Sequence, residues 1–283
     1  METSIKKVCV CGAGTMGSGI AQMCAASGYF TILFDLNQEA LQRAKNNIEE
    51  SLQKLLDKQK ISEEDREETL LRIHFTSNIS DCIADLIIEA IIEKMKEKIS
   101  LFYQLTSINN TVTIFSTNTS SLSVTEIASR SGNPERLIGL HFFNPAQLMK
   151  LVEVIKTPYS KQETIEIILS FVRSLNKAPV ICKDSPGFIV NRVARPFYIE
   201  SLRLIEEGKT SFETIDKLLE AKGFKMGPFK LMDLIGNDIN YAVSCSVYEQ
   251  LNKTERLKPS FIQKEKVEKG ELGKKTGKGY YQY

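Results

Sequence analysis

Apolar residues along this chain follow two spacings, and the alternation between them predicts the architecture. Continuous runs at Ile5 to Cys11, Phe30 to Phe34, Ile73 to Thr76, Leu86 to Ala90, Val112 to Ser116, Leu137 to Leu140, Leu151 to Ile155 and Ala178 to Cys182 read as short strands. Segments of helical spacing separate most of them. Ile20, Met23 and Cys24 mark a helix that stops near Gly28. From Gln38 to Arg72, Leu41, Ala44, Ile48, Leu52, Leu55 and Leu56 recur at helical intervals, with a break near residues 61–63, which reads as a helical hairpin. Strand and helix in alternation predict a mostly parallel sheet with helices on both faces, and the hairpin is an insertion longer than a minimal crossover needs.

Beyond Cys182 the pattern changes. Lys183-Asp-Ser-Pro-Gly187 punctuates the last strand, and every later apolar spacing is helical, so residues 1–185 are expected to form an α/β domain and residues 186–283 an all-helical one. Ser185 and Pro186 suit the cap and first position of a helix that runs through Ile189, Val193, Phe197, Leu202 and Ile205 to Gly208, with Pro196 expected to kink or break it. Thr210-x-x-Glu213 reads as a capping box, Gly223 as the end of the next helix, and Leu231 to Leu251 as one further helix with few charges. A low-charge helical domain beside an α/β domain predicts a homodimer formed through the helices.

Composition adds exclusions. A chain of 283 residues with 42% apolar and 25% charged side chains can bury a core, which argues against disorder. A net charge of +2, with the Lys-rich stretches matched by Glu, leaves no electrostatic footprint for nucleic acid. No apolar run approaches the ~18 residues of a membrane span, and Met-Glu-Thr-Ser-Ile-Lys-Lys leads straight into a strand without an apolar leader. Six scattered cysteines without a Cys-x-x-Cys pair, beside two histidines, predict no metal centre and a reducing, cytoplasmic home.

Between the first strand and first helix stands Gly12-Ala13-Gly14-Thr15-Met16-Gly17. Gly12 permits the tight turn, Gly14 lets backbone N–H groups approach a pyrophosphate, and Gly17 lets the helix pack close to the strand. The second strand ends at Asp35, about 20 residues on, where an acidic residue accepts hydrogen bonds from ribose hydroxyls and repels a 2′-phosphate. This is a Rossmann-type fingerprint, and NAD rather than NADP is the expected cofactor. A glycine turn beside a surface aspartate is the bland alternative.

Candidate chemistry centres on Leu140 to Glu153, where His141 stands ahead of the Asn144-Pro145 turn and Glu153 follows it. A histidine can exchange a proton near neutrality, and a carboxylate on one ring nitrogen would orient it. By itself the pair also suits a core histidine and a strand-edge charge. Glu93, Lys98 and the Ser116-Thr-Asn118-Thr-Ser120 segment follow strands whose carboxyl ends should face the ligand crevice, although strand-end and N-cap polarity explains them too. Lys54, Lys58 and Lys60 could meet phosphates, or form a solvated helix face.

Taken with Asn118-Thr-Ser-Ser, His141-Phe-Phe-Asn-Pro, Leu151-Val-Glu153, Pro186-Gly-Phe-x-x-Asn191-Arg and Lys274-Lys-Thr-Gly-Lys-Gly-Tyr, the sequence resembles the L-3-hydroxyacyl-CoA dehydrogenases over nearly its whole length. It is most similar to the bacterial 3-hydroxybutyryl-CoA type. The resemblance implies that His141 is the catalytic base, Glu153 its orienting partner, and Ser120 and Asn191 hydrogen-bonding groups in the same pocket. It places Glu93, Lys98, Asn144 and Lys275 at the NAD cofactor, and Ser51 and Lys58 at coenzyme A. It also implies an acyl-CoA thioester as substrate, with a short chain such as 3-hydroxybutyryl. Asn237 and Ser201 depart from the family pattern near expected helix contacts, which bears on dimer geometry and the acyl pocket. An NAD-dependent dehydrogenase of a free hydroxy acid or sugar acid, and a non-catalytic NAD-binding protein, are the competing expectations.

Overall fold

A computed structural model describes residues 5–283; residues 1–4, read above as leading without an apolar segment into the first strand, lie outside it. The chain divides into two compact units, Met1–Asp184 and Ser185–Tyr283. In the first, eight strands form one sheet: β1 (Lys7–Cys11), β2 (Phe30–Phe34), β3 (Ile73–Thr76), β4 (Leu86–Glu89), β5 (Ile114–Thr117), β6 (Leu137–Phe142), β7 (Leu151–Lys156) and β8 (Ala178–Lys183), in the order β3-β2-β1-β4-β5-β6-β7-β8. Every pair is parallel except β6 with β7. The exception has a simple cause. Only residues 143–150 join these two strands, whereas a parallel crossover needs about a dozen or more.

Helices α1 (Thr15–Ala26), α2 (Gln38–Asp57), α3 (Glu63–Leu71), α4 (Met95–Ile108), α5 (Val124–Arg130) and α6 (Gln162–Ser174) complete this unit. Val8, Val10, Ile20, Leu33, Ile48 and Leu86 belong to its main core, so the stripe of α2 read from the sequence does pack inward. Asn37 caps α2, and Ser62 with Asp65 forms a capping box at the start of α3, which fixes the break in the predicted hairpin. The fifth strand starts two residues later than expected because the Asn110 side chain accepts hydrogen bonds from the amides of Val112 and Thr113 and holds them in a turn.

The second unit is helical: α7 (Val190–Glu206), α8 (Phe212–Ala221), α9 (Pro228–Ile235), α10 (Asn237–Gln250) and α11 (Phe261–Glu268). Three local expectations need correction, at the start of the first helix, at the cap of the next and over residues 231–251. Helix α7 starts at Val190 rather than after Ser185, because Gly187 and Phe188 lie at φ 73° and 50°, which no right-handed helix accommodates. Pro196 sits inside α7 without ending it. Ser211, not Thr210, caps α8, its hydroxyl accepting from the Thr214 amide. The single helix expected over 231–251 is two, divided at Gly236 with φ 103°. Tyr198, Leu202, Ile215, Phe229, Met232 and Tyr280 form a core here, and the two atypical residues are buried with local partners: Asn237 donates to Asp233 (2.9 Å) and Ser201 to the Phe197 carbonyl (2.7 Å).

Candidate active site

The antiparallel register of β6 and β7 sets His141 directly opposite Glu153. Residues so paired share a face of the sheet, with Cβ atoms close enough for side chains to meet. The Nδ1 atom of His141 lies 2.7 Å from Oε2 of Glu153, and both side chains are buried. A carboxylate accepts, so the imidazole carries its proton on Nδ1 and presents Nε2 as the basic atom. The Phe143 ring packs on the imidazole at a centroid distance of 4.5 Å.

The loop after β5 is tied to this strand. Asn118 accepts a hydrogen bond from the Phe142 amide, next to His141, at 2.8 Å. One oxygen of Glu93 accepts from the Thr119 hydroxyl (2.6 Å), the Ser120 amide (2.9 Å) and the Ser120 hydroxyl (3.3 Å). Behind it, the ammonium of Lys98 sits 2.5 Å from Glu89 and 3.1 Å from Glu93, with Lys98 and Glu89 almost wholly buried. Burial pushes the Glu89 carboxyl above the usual range despite Lys98. Burial opposes ionisation at Glu93 as well, but the Lys98 charge and the donors from Thr119 and Ser120 outweigh it and hold this carboxyl below that range. Thus Lys98 and Glu93, whose expected place is at the cofactor, also brace the loop that carries Ser120.

The glycine turn lies at the same edge of the sheet, because Cys11 pairs with Glu89, Glu89 with Thr117 and Thr117 with Gly139 in parallel register. A Cβ at Gly12 would stand 2.5 Å from the Ala90 carbonyl oxygen, and one at Gly17 only 1.7 Å from that of Gly12. Gly14 is different: a Cβ there would meet nothing within 4 Å, which leaves space over the turn. Helix α1, which opens with Thr15 and Met16, has no side-chain cap and no acid in its first turn. Its amides therefore suit a phosphate group. Asp35 is fixed by the Ala13 amide (2.7 Å) and the Asn37 amide (2.9 Å), as a ribose-binding carboxylate requires. These residues fit a dinucleotide.

The remaining predicted residues are dispersed. Asn144 is exposed in the link between β6 and β7. Ser51 accepts from Gln22 (3.1 Å), whose oxygen accepts from Gln147 (3.0 Å), beside a cavity of about 380 Å³ lined by Gln22, Met23, Leu52, Leu55, Ile61 and Gln147 among others. Lys58 is the exposed residue that closes α2. Asn191 and Lys275 belong to the second unit. Asn191 is in the first turn of α7, its carbonyl accepting from Arg195, and the Lys275 ammonium pairs with Asp238 at 2.6 Å. Sequence reasoning placed the Asn118 segment at the crevice without seeing its bond to Phe142, and assigned no role to Glu89, although a lone carboxylate within the apolar run Leu86 to Ala90 signalled a buried partner.

Comparison with known proteins agrees with this geometry. Residues 7–185 match the model for "3-hydroxyacyl-CoA dehydrogenase, NAD binding domain", and residues 187–283 match that for "3-hydroxyacyl-CoA dehydrogenase, C-terminal domain". The chain belongs to the 3-hydroxyacyl-CoA dehydrogenase family. NAD is thus the dinucleotide that the glycine turn of this dehydrogenase fits. The chain is 45% identical over 285 residues to 3-hydroxyadipyl-CoA dehydrogenase of Escherichia coli strain K12, covering 100% of itself but only 60% of that protein. It is 42% identical to the mitochondrial hydroxyacyl-coenzyme A dehydrogenase of Sus scrofa, covering 99% of itself and 91% of the relative. The solved structure of (S)-3-hydroxybutyryl-CoA dehydrogenase from Ralstonia eutropha matches with a TM-score of 0.94 at 36% identity, covering 99% of each chain.

Proposed function

We propose that the protein interconverts L-3-hydroxyacyl-CoA and 3-ketoacyl-CoA with NAD, with 3-hydroxybutyryl-CoA and acetoacetyl-CoA as the preferred pair. The observation that carries this reading is the buried 2.7 Å contact between His141 and Glu153. NAD, when bound, takes up or gives back the hydride. In oxidation, Nε2 of His141 accepts the proton of the 3-hydroxyl while Glu153 stabilises the imidazolium so formed; in reduction His141 returns that proton. Ser120 and Asn191 are assigned to hydrogen-bond the reacting oxygen or the histidine. Glu93, Lys98, Asn144 and Lys275 are assigned to the cofactor, and Ser51 and Lys58 to coenzyme A. Holding the reactants in place supplies much of the remaining acceleration.

The test is NADH oxidation with acetoacetyl-CoA, run beside free acetoacetate and a longer 3-ketoacyl-CoA. Turnover with thioesters alone is expected, fastest with acetoacetyl-CoA. Turnover of free acetoacetate at a comparable rate would replace this reading with a dehydrogenase of free hydroxy acids, and silence on every substrate with intact NADH binding would make it a non-catalytic binder.

Asp35 gives a second expectation. With Asp35→Ser, the preference for NADH over NADPH should shrink by at least tenfold, since the carboxylate that accepts from the ribose and repels a 2′-phosphate is gone. An unaltered ratio of kcat/KM values would refute the role given to Asp35.

A homodimer formed through the second unit is also proposed. Exposed Leu218, Phe224, Leu234 and Ile239 in that unit support it. No helix among the described residues is long and apolar enough to cross a membrane. A cytoplasmic location rests on the cysteine pattern of the sequence.

A further inference from the structure

Three cysteines that the proposed reaction does not use meet in the first unit. Cys9 and Cys11 are two apart on β1, so their side chains leave the same face of the sheet, opposite to Val8 and Val10 of the main core. Cys82 arrives from elsewhere in the sequence, directly after a 3₁₀ turn at Ile79–Asp81. The three Sγ atoms all lie within 4.8 Å of one another, with Cys9 and Cys11 3.8 Å apart, and all three residues are fully buried. Among the described residues no histidine or carboxylate completes the group.

The spacing is that of a coordination triangle. A metal bonded to three sulfurs at about 2.3 Å in one plane holds them roughly 4.0 Å apart, the bond length times the square root of three. The observed separations need only small adjustments. The backbone that carries the sulfurs is also pre-arranged. β1 is hydrogen-bonded between β2 and β4, while the Cys82 carbonyl accepts from the Asn109 side chain (2.8 Å) and its amide donates to the Ile79 carbonyl (3.0 Å). Ligands held in position before the ion arrives lose little freedom on binding it.

We propose that Cys9, Cys11 and Cys82 form a three-coordinate site for a soft d10 cation, with Cu(I) as its occupant. Thiolate sulfur favours such an ion. Zn(II) takes four ligands in structural sites, and the described residues offer only three here. Cys82 is next in the chain to Ile83, which is half exposed. On coordination the thiol protons leave for solvent as Cu–S bonds form, so uptake should strengthen as pH rises.

The experiment is an anaerobic titration of the reduced, full-length protein with Cu(I) in competition with a chromogenic Cu(I) chelator. The protein should withhold one ion per chain. Cys82→Ala and Cys11→Ala should each withhold none, while a variant with Cys24, Cys182 and Cys245 all changed to serine should behave as the parent. Circular dichroism and NADH binding verify that the variants are folded. In parallel, Cu(I) should raise the melting temperature of the parent and not that of Cys82→Ala, because a ligand that binds the folded state alone stabilises it. The proposal is overturned if the chelator strips all copper from the parent, if retention survives in Cys82→Ala, or if Zn(II) is held in preference to Cu(I). In each of those cases the three thiols are buried packing groups or serve another ion.

Discussion

Changing His141 to glutamine is expected to abolish measurable turnover while NADH affinity stays within a few-fold. Glutamine keeps the approximate size of the buried side chain but cannot take up a proton near neutral pH, and general acid–base catalysis typically contributes about 10² to 10⁴-fold. Glu153→Gln should be nearly as severe. The Nδ1 atom of His141 now faces an oxygen 2.7 Å away on a charged acceptor; an amide there removes the charge and can present its NH₂ group instead, which favours the wrong tautomer. The loss should fall on kcat, with little change in the affinity for NADH, since the glycine turn and Asp35 are built from other strands. Steady-state kinetics with acetoacetyl-CoA beside NADH fluorescence titration would separate these effects. Turnover of His141→Gln within tenfold of the parent would remove the histidine from the mechanism.

Changing Lys98 to methionine should cost stability on the order of 3–5 kcal/mol, the usual consequence of leaving a buried charge without its partner. Lys98 is the cation between Glu89 and Glu93, and Glu89 is wholly buried. The loss should have a pH signature. The Glu93 carboxyl is held below its ordinary range in the fold, so its contribution is present above the pKa it has in the unfolded chain and disappears as pH falls through the depressed folded value. Lys98→Met removes the charge that lowers it, so the variant should lose less stability than the parent on acidification. Urea unfolding across the carboxylate range would show this. The double change Lys98→Met with Glu89→Gln should recover part of the loss, because no unpaired charge then remains at Glu89. A parent-like midpoint in Lys98→Met alone would mean that the network contributes nothing to folding. Activity should also fall in Lys98→Met, since Glu93 gathers the Thr119 and Ser120 donors and thereby positions the loop.

Much of this was legible in the chain itself. The strand runs, the helical hairpin and the change of spacing after Cys182 follow from side-chain periodicity, which reports directly which face of an element must be buried. The glycine turn was readable because its backbone conformations exclude other residues: Gly17 has no room for a Cβ. The motif around His141 identified the family and, with it, the reaction class.

Other features depend on contacts between segments far apart in sequence, which periodicity does not encode. The start of α7, the cap on Ser211 and the division at Gly236 turn on single backbone angles and hydrogen bonds. The antiparallel pairing of β6 with β7 brings His141 against Glu153, where the residues alone suited a core histidine and a strand-edge charge better. Asn118 gains its role only because β5 lies beside β6, and Lys98 is a brace only because β4 carries Glu89 to it. The same holds for Cys9, Cys11 and Cys82, whose spacing spells no metal motif until the sheet folds. Sequence thus determined which elements form and what chemistry the chain carries, through steric and hydrophobic rules that act locally. Tertiary structure alone decided which polar groups are buried together, because that depends on strand order and register.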